Sequence, residues 1–403
     1  MINIESFANP LALMTNPTLS KDFFGIVYWI WIVKESVFFQ KIFSLFSMLF
    51  GAGAYLLITR AEAAGKGAVI ADIYYRRLFW LILFGLIHAY LIWPGDVLFY
   101  YGVVGLFLYP VRKLSLLGMV TLAAVLLATA MLFAYVDYRD KVSLKTEAAL
   151  FESDRDSGKE LTAEQNGVLE RWKKWQGYFH PEKEALEKEI ATMSRGSYLQ
   201  IIESQAEWVR NGHTNWLYGR VFFQILMMMV IGMILVKASI LSAQSPRKIY
   251  YLMVIAGYLI GFFLAFIRLR AYRADGFGVI SGRATMVGFL IEMIAVALGH
   301  IGLICLFCKL NILGWFRASL AAVGRMAFSN YILQSLICTV LFYGYGFGLY
   351  GSLNKVQQLW IVGFVWVLEM IVSPIWLKRF RFGPLEWMWR SFTYWRRQPM
   401  LVG

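Results

Sequence analysis

His88 and Asp96 flank the turn Trp93-Pro94-Gly95, which closes two apolar runs into an expected helical hairpin. A histidine within reach of a carboxylate makes a general base with its orienting group, suited to taking a proton from a hydroxyl or amine. Two plainer roles suit the same residues. Asp96, just past the turn, can cap the next helix and meet its positive end. A buried neutral histidine can simply hydrogen-bond a carbonyl, and both readings stay open.

Other polar groups stand inside apolar stretches, where an ionisable side chain needs a partner. Gly288, Glu292 and Gly299 share one helical face with His300 beside it, and the glycines would let another helix approach. Glu369 stands alone in the last apolar run, open to pairing with a base or to relaying protons. Asn330 and Gln334, at i and i+4, form a polar stripe with Ser329 and Arg325 at one end; interhelical hydrogen bonds would account for the amides. Lys41 lies near the outer end of its helix, where it could snorkel to the interface. Cys305 and Cys308 have CxxC spacing at the end of an apolar helix without a second ligand pair, so packing explains them better than zinc or redox chemistry. His180 and His213 likewise lack clustered carboxylates or thiols, and no metal is expected. No P-loop, nucleophile elbow or dinucleotide fingerprint occurs.

The elements that must position these residues are membrane helices. Of 403 residues, 59% are hydrophobic and 17% aromatic, more apolar surface than a soluble domain could hide. The formal charge is +14, but it is unevenly spread. Between Asp137 and His213 stand 15 acids and 12 bases, leaving 27 bases and 10 acids elsewhere, concentrated at helix ends. That pattern fits retention of positive loops on the cytoplasmic side and contact with anionic headgroups. No soluble basic module is present, which sets nucleic-acid binding aside.

The expected fold is therefore all-α: a polytopic transmembrane helical bundle of about nine to ten spans with one helical extracytoplasmic insert. Residues 1–136 form the N-terminal transmembrane part, including the 76–112 hairpin, whose two runs each have the length of a crossing. The opening stretch, Met1 to Met14, reads as the last turns of a helix whose beginning is absent. The run Phe23 to Val33 falls short of a crossing and is interrupted at Lys34-Glu35, before a second run from Phe38 to Ile58. Residues 137–215 are the insert, with alternating charge and apolar positions at helical spacing. Its aromatic patch, Trp172, Trp175, Tyr178 and Phe179, is expected to pack on the transmembrane body. Residues 216–379 form the C-terminal transmembrane part, and 380–403 an amphipathic basic and aromatic tail lying in the cytoplasmic interface. Arg268, Arg270, Arg273 and Arg283 surround a loop on the other side, where an anionic ligand or, more simply, pairing with the net-negative insert would balance them.

Four blocks carry a family resemblance: Lys41-Ile-Phe-Ser-Leu-Phe-Ser-Met-Leu-Phe-Gly-Ala-Gly53, Gly85-Leu-Ile-His88 with Trp93-Pro-Gly-Asp96, Gly324-Arg-Met-Ala-Phe-Ser-Asn-Tyr-Ile-Leu-Gln-Ser-Leu-Ile-Cys-Thr339, and Phe380-Arg-Phe-Gly-Pro-Leu-Glu-Trp-Met-Trp-Arg390. In this order they resemble the YeiB-type bacterial integral membrane proteins, whose C-terminal half is a domain of unknown function. That family is grouped with transmembrane acyltransferases. The resemblance thus implies an inner-membrane protein with a cytoplasmic C-terminus, an acyl donor such as acyl-CoA taken from the cytoplasm, and an extracytoplasmic envelope acceptor. The positions matching the family pattern are Lys41, His88, Asp96, Arg325, Asn330 and Gln334. On this reading His88 is the base oriented by Asp96, and Arg325, Asn330 and Gln334 face the donor. The family's opening Asp and Arg-Gly pair are missing here, so either the N-terminus is shortened or those residues are dispensable.

Two other classes of function remain. A transporter or lipid-handling protein would use Glu292, His300 and Glu369 to relay protons or ions. A noncatalytic scaffold would use the insert to bind an envelope partner. Small-residue helix faces also allow a homodimer in the lipid bilayer.

Overall fold

A computed structural model describes residues 3–310 and 312–402, and among them the chain is helical without a single named strand. In chain order the helices are α1 (Ile4–Ala8), α2 (Leu11–Thr15), α3 (Gly25–Val33), α4 (Lys41–Ala63), α5 (Gly67–Leu91), α6 (Leu98–Gly105), α7 (Leu108–Val111), α8 (Leu116–Asp156), α9 (Ala163–Gly177), α10 (Lys183–Arg195) and α11 (Tyr198–Asn211). They continue as α12 (Phe222–Lys237), α13 (Arg247–Ala274), α14 (Val279–Ala284), α15 (Met286–Lys309), α16 (Gly314–Arg325), α17 (Ala327–Phe342), α18 (Lys355–Arg379) and α19 (Pro384–Tyr394). Wide π-helical turns at Lys34–Phe38 and Gly212–Val221 join α3 to α4 and α11 to α12.

Among the described residues, six helical stretches are long and apolar enough to cross a membrane: Gly25–Ala63, Leu116–Asp156, Tyr198–Lys237, Arg247–Ala274, Met286–Lys309 and Lys355–Arg379. The bundle is completed by α17, which is shorter, and by α5, whose first turns carry Arg76 and Arg77. The chain is therefore a multi-pass membrane protein. The second limb of the hairpin is not a full crossing. It breaks after Gly105 into α6 and α7, and from Leu98 to Val111 it rises only about 20 Å against a hydrocarbon core of about 30 Å.

Close helix contacts follow from small residues. A Cβ on Gly51 of α4 would lie 2.0 Å from the Met229 carbonyl oxygen of α12, and one on Gly232 would lie 1.8 Å from the Met48 oxygen. The two glycines therefore let the backbones of α4 and α12 touch reciprocally. Around this contact Met48, Ile225, Met228, Met229 and Met233 form the main apolar core with Leu78, Val104 and Leu290.

The insert is not a detached domain. α8 is one uninterrupted helix of 41 residues that leaves the apolar zone and runs on into the insert, while α11 reaches α12 through a π-helical turn that kinks at Gly219. Trp172 is buried with Ala148, Val168 and Val279, and Trp175 lies beneath Lys141 and Arg283. Thr15 Oγ1 and Asn16 Nδ2 donate to the Tyr178 and Phe179 carbonyls at 2.7 and 3.1 Å, and Gly344 N donates to the Met193 carbonyl at 2.9 Å. The aromatic patch thus packs inward. At the opposite, arginine-rich end, α19 docks on α5: Trp389 Nε1 donates to the Arg77 carbonyl at 2.9 Å, and Trp80 and Phe392 meet at 4.6 Å between centroids.

Candidate functional site

Helices α5, α6 and α17 meet around His88. Gly85 makes this possible, because a Cβ there would stand 2.2 Å from the Phe99 amide nitrogen of α6. The hairpin turn folds back against α5, with Trp93 N donating to the His88 carbonyl at 2.8 Å. Asp96 is thereby brought level with the histidine, and its Oδ1 lies 2.8 Å from His88 Nδ1. Its other oxygen accepts from Phe99 N at 2.7 Å, so Asp96 both caps the start of α6 and holds the imidazole. The two roles are compatible because a carboxylate has two acceptor oxygens.

The second ring nitrogen meets a residue that does not stand out in the sequence. His88 Nε2 is 2.9 Å from Ser335 Oγ of α17. With Nδ1–H donated to the Asp96 carboxylate, Nε2 is left as an acceptor for the serine hydroxyl. Ser335 Oγ also approaches the Tyr331 carbonyl at 3.2 Å, the habitual back-bond of a helical serine, and that habit makes such a serine look ordinary in sequence. Asp96, His88 and Ser335 are all buried, with exposures of 4%, 1% and 1%. The imidazole is flanked by the rings of Tyr331 and Trp93, at 5.0 and 6.1 Å between centroids. Trp93 is buried and stacks on Phe7 of α1 at 4.0 Å.

Counting helical rise from Arg77, where the apolar run of α5 begins, puts this cluster at mid-depth. Arg77 to His88 along α5 is about 16 Å, half of a hydrocarbon core of about 30 Å. Glu369 sits at a similar height on α18, where its Oε1 accepts from Gln334 Nε2 at 2.8 Å. Asn330 Nδ2 donates to Ser373 Oγ at 3.1 Å and to the Val323 carbonyl at 3.2 Å. These amides of α17 are thus engaged with α16 and α18. Arg325 is exposed at the basic end and donates to the Arg381 carbonyl at 3.3 Å.

A second cluster is ionic. Lys41, fully buried, does not snorkel: its Nζ lies 2.5 Å from Glu292 Oε1 and 2.6 Å from the Glu35 carbonyl. Arg268 Nε and Nη2 each donate to Glu292 at 2.9 Å, and Nη1 reaches Glu35 Oε2 at 3.1 Å. Lys34 bridges Glu35 and Glu5 at 3.1 and 2.7 Å, and Lys355 closes on the other Glu5 oxygen at 2.7 Å. Seven side chains, four cations and three anions, form one line from α15 to the short helix α1. Arg268 therefore pairs within the bundle, whereas Arg283 joins Asp137 of the insert at 3.1 Å and Arg273 meets the Tyr28 hydroxyl at 2.9 Å. From Lys309 to Glu292 along α15 is about 25 Å, so the cluster lies near the boundary opposite the basic end rather than at mid-depth.

Burial alone would raise the Glu5 carboxyl, but Lys34 and Lys355 outweigh it and hold the pKa at about 2. His300 belongs to neither cluster: its Nδ1 meets the Tyr258 hydroxyl at 2.8 Å and its Nε2 the Val37 carbonyl at 2.9 Å. Glu292, His300 and Glu369 thus have three separate sets of partners. Among the described residues, no group of three or more His, Cys, Asp or Glu could hold a metal ion.

Comparison with known proteins bears on the family. The chain is 30% identical over 361 residues to the uncharacterized protein YxaH of Bacillus subtilis, covering 89% of this chain and 81% of that protein. It belongs to the YeiB-type family. Uncharacterized protein YeiB of Escherichia coli is 29% identical over 409 residues, with 98% and 92% covered. An uncharacterized 39.9 kDa protein from the amylase 3' region of Bacillus acidopullulyticus is 26% identical over 362 residues, covering 90% of this chain and 82% of that protein. The family model for a protein of unknown function, DUF418, matches residues 235–396, a stretch that includes Glu292, Ser335 and Glu369 but not His88 or Asp96. No solved structure matches.

Proposed function

We propose that this protein is a transmembrane acyltransferase whose reaction centre is the Asp96–His88–Ser335 line. The observation that carries the reading is the serine hydroxyl 2.9 Å from an imidazole whose other nitrogen is held by a buried carboxylate at 2.8 Å. That order of groups activates a serine for acyl transfer wherever the fold supplies it. Ser335 Oγ attacks the carbonyl of an acyl thioester such as acyl-CoA while its proton passes to His88 Nε2. The carbon–sulfur bond breaks, and the leaving thiolate takes that proton. An acceptor hydroxyl or amine then gives its proton to His88 and takes the acyl group, and the proton returns to Ser335. Asp96 fixes the tautomer and stabilises the imidazolium formed in each half.

On this account the basic end faces the cytoplasm of a bacterial inner membrane and delivers the donor, with the C-terminus on the same side. The end carrying the insert faces the envelope acceptor. The rings of Tyr331 and Trp93 must move for either substrate to reach Nε2. Transfer should vanish in His88→Ala and Ser335→Ala proteins that remain folded. Retained transfer in Ser335→Ala alone would mean that His88 deprotonates the acceptor directly. Full activity in His88→Ala would overturn the mechanism.

The ionic line supports a second reading, transport or lipid handling, because it connects Glu292 to the outer helix α1 through continuous contacts. Flux that depends on a proton gradient, and that loses this dependence in Glu292→Gln, would favour it over acyl transfer.

A further inference from the structure

The basic end of the bundle holds a cleft of about 440 Å³ between α5, the start of α17 and α19. Arg77, Arg325, Arg381 and Arg390 line it together with Trp389. Among the described residues none of these four arginines has an ion pair with a carboxylate. The guanidinium of Arg77 lies 3.8 Å over the Trp389 ring, and Arg381 Nε spends its proton on the Leu401 carbonyl at 3.0 Å. One carboxylate does face the cleft, that of Glu386. It is committed: Oε1 accepts from the Phe328 and Ser329 amides at 2.7 and 3.1 Å, and Oε2 accepts from the Ser329 hydroxyl at 2.5 Å. Glu386 therefore satisfies the amino end of α17 and leaves the arginines unbalanced.

Four like charges around one concavity at a membrane boundary repel one another, and the arrangement gains from an anion that several guanidiniums can hold at once. Planar guanidinium forks match the paired oxygens of a phosphate, and aromatic rings behind them keep the forks oriented. We infer that this cleft binds a phosphate group, presented either by an anionic phospholipid headgroup or by a soluble phosphorylated compound. The site stands apart from Asp96–His88–Ser335: along α17, Ala327 at its edge is about 12 Å from Ser335.

The test uses the full chain purified in neutral detergent, and the Arg325→Gln/Arg390→Gln double variant. Arg77 is left intact because it packs on Trp389. Calorimetric titration with inorganic pyrophosphate forms one arm. Native mass spectrometry after reconstitution in nanodiscs of mixed phosphatidylglycerol and phosphatidylcholine forms the other. Each lost guanidinium–phosphate contact should weaken binding about tenfold, so the double variant should lose about a hundredfold, and added salt should weaken the wild type. Saturable pyrophosphate binding that falls this way supports the site and assigns it to a soluble phosphate. Selective retention of phosphatidylglycerol, lost in the double variant and without pyrophosphate binding, supports it and assigns it to a headgroup. If neither ligand is preferred, or if both arms are unchanged in a double variant whose thermal midpoint matches the wild type, the inference is wrong.

Discussion

Replacing Glu292 by glutamine should damage this protein more than replacing the lysine it holds. Glu292 is fully buried and accepts three hydrogen bonds, one from Lys41 at 2.5 Å and two from Arg268 at 2.9 Å. Glutamine keeps one acceptor oxygen but no charge, so the two buried cations Lys41 and Arg268 are left with the single carboxylate of Glu35, which they share with Lys34. Breaking a buried pair while leaving its partner charged costs about 3–5 kcal/mol, a large share of a stability of about 5–15 kcal/mol. Lys41→Met removes the cation instead. Glu292 then retains both bonds from Arg268, and the apolar stem is replaced in kind, so a loss of about 1–3 kcal/mol is expected. The Lys41→Met/Glu292→Gln protein should be more stable than the sum of the single changes predicts, because the stranded ammonium is gone. Unfolding by sodium dodecyl sulfate in bicelles, followed by tryptophan fluorescence, gives the three differences on one scale. A Glu292→Gln protein within about 0.5 kcal/mol of wild type, or less damaged than Lys41→Met, would refute the reasoning.

Other expectations follow from single contacts. The Glu5 clasp on Lys34 and Lys355 is held by a depressed carboxyl pKa of about 2, below the ordinary value of 4.5. Its contribution is therefore fully present above about pH 5 and fades as pH falls towards 2, so protease access to α1 should be flat from pH 8 to 5 and rise in acid. Gly85→Val would drive a side chain into the Phe99 backbone 2.2 Å from its Cβ, and the thermal midpoint should drop sharply, by an overpacking cost of about 1–3 kcal/mol or more. Asp96→Asn removes the charge that orients His88 but keeps a group of the same shape, so transfer should fall by about 10³- to 10⁴-fold with only a small loss of folded protein. An Asp96→Asn enzyme within tenfold of wild type would confine Asp96 to capping α6.

Much of the frame is written in the sequence because it rests on local patterns. Apolar length, arginines at helix ends and the Trp93-Pro94-Gly95 turn are enough to expect a helical membrane bundle and to bring Asp96 near His88. The interruption at Lys34-Glu35 is legible too, and it becomes the π-helical turn between α3 and α4. The partners are not legible, because they come from helices distant in sequence. Ser335 lies 247 residues from His88, and Lys41 lies 251 from Glu292. Lys41 near a helix end resembles a snorkelling lysine, and only the approach of α13 and α15 makes it a buried ion. The short second limb of the hairpin escapes for another reason: its apolar run has the length of a crossing, and apolar length alone does not show that the helix breaks after Gly105, ahead of Pro110. The insert looks separable by charge, yet α8 runs into it as a direct extension of a membrane helix, and α11 leaves it through a turn kinked at Gly219.

Acyl transfer through Ser335 passes through an acyl-enzyme that can be trapped and located. Purified protein would be incubated with radiolabelled acetyl-CoA and with longer acyl-CoAs, quenched in acid, and the label located by peptide mass mapping in wild type, His88→Ala and Ser335→Ala. Label is expected on the peptide carrying Ser335 in the wild type and in neither variant. No acyl adduct at Ser335, with acyl transfer to an acceptor unaffected by either substitution, would contradict transfer through Ser335.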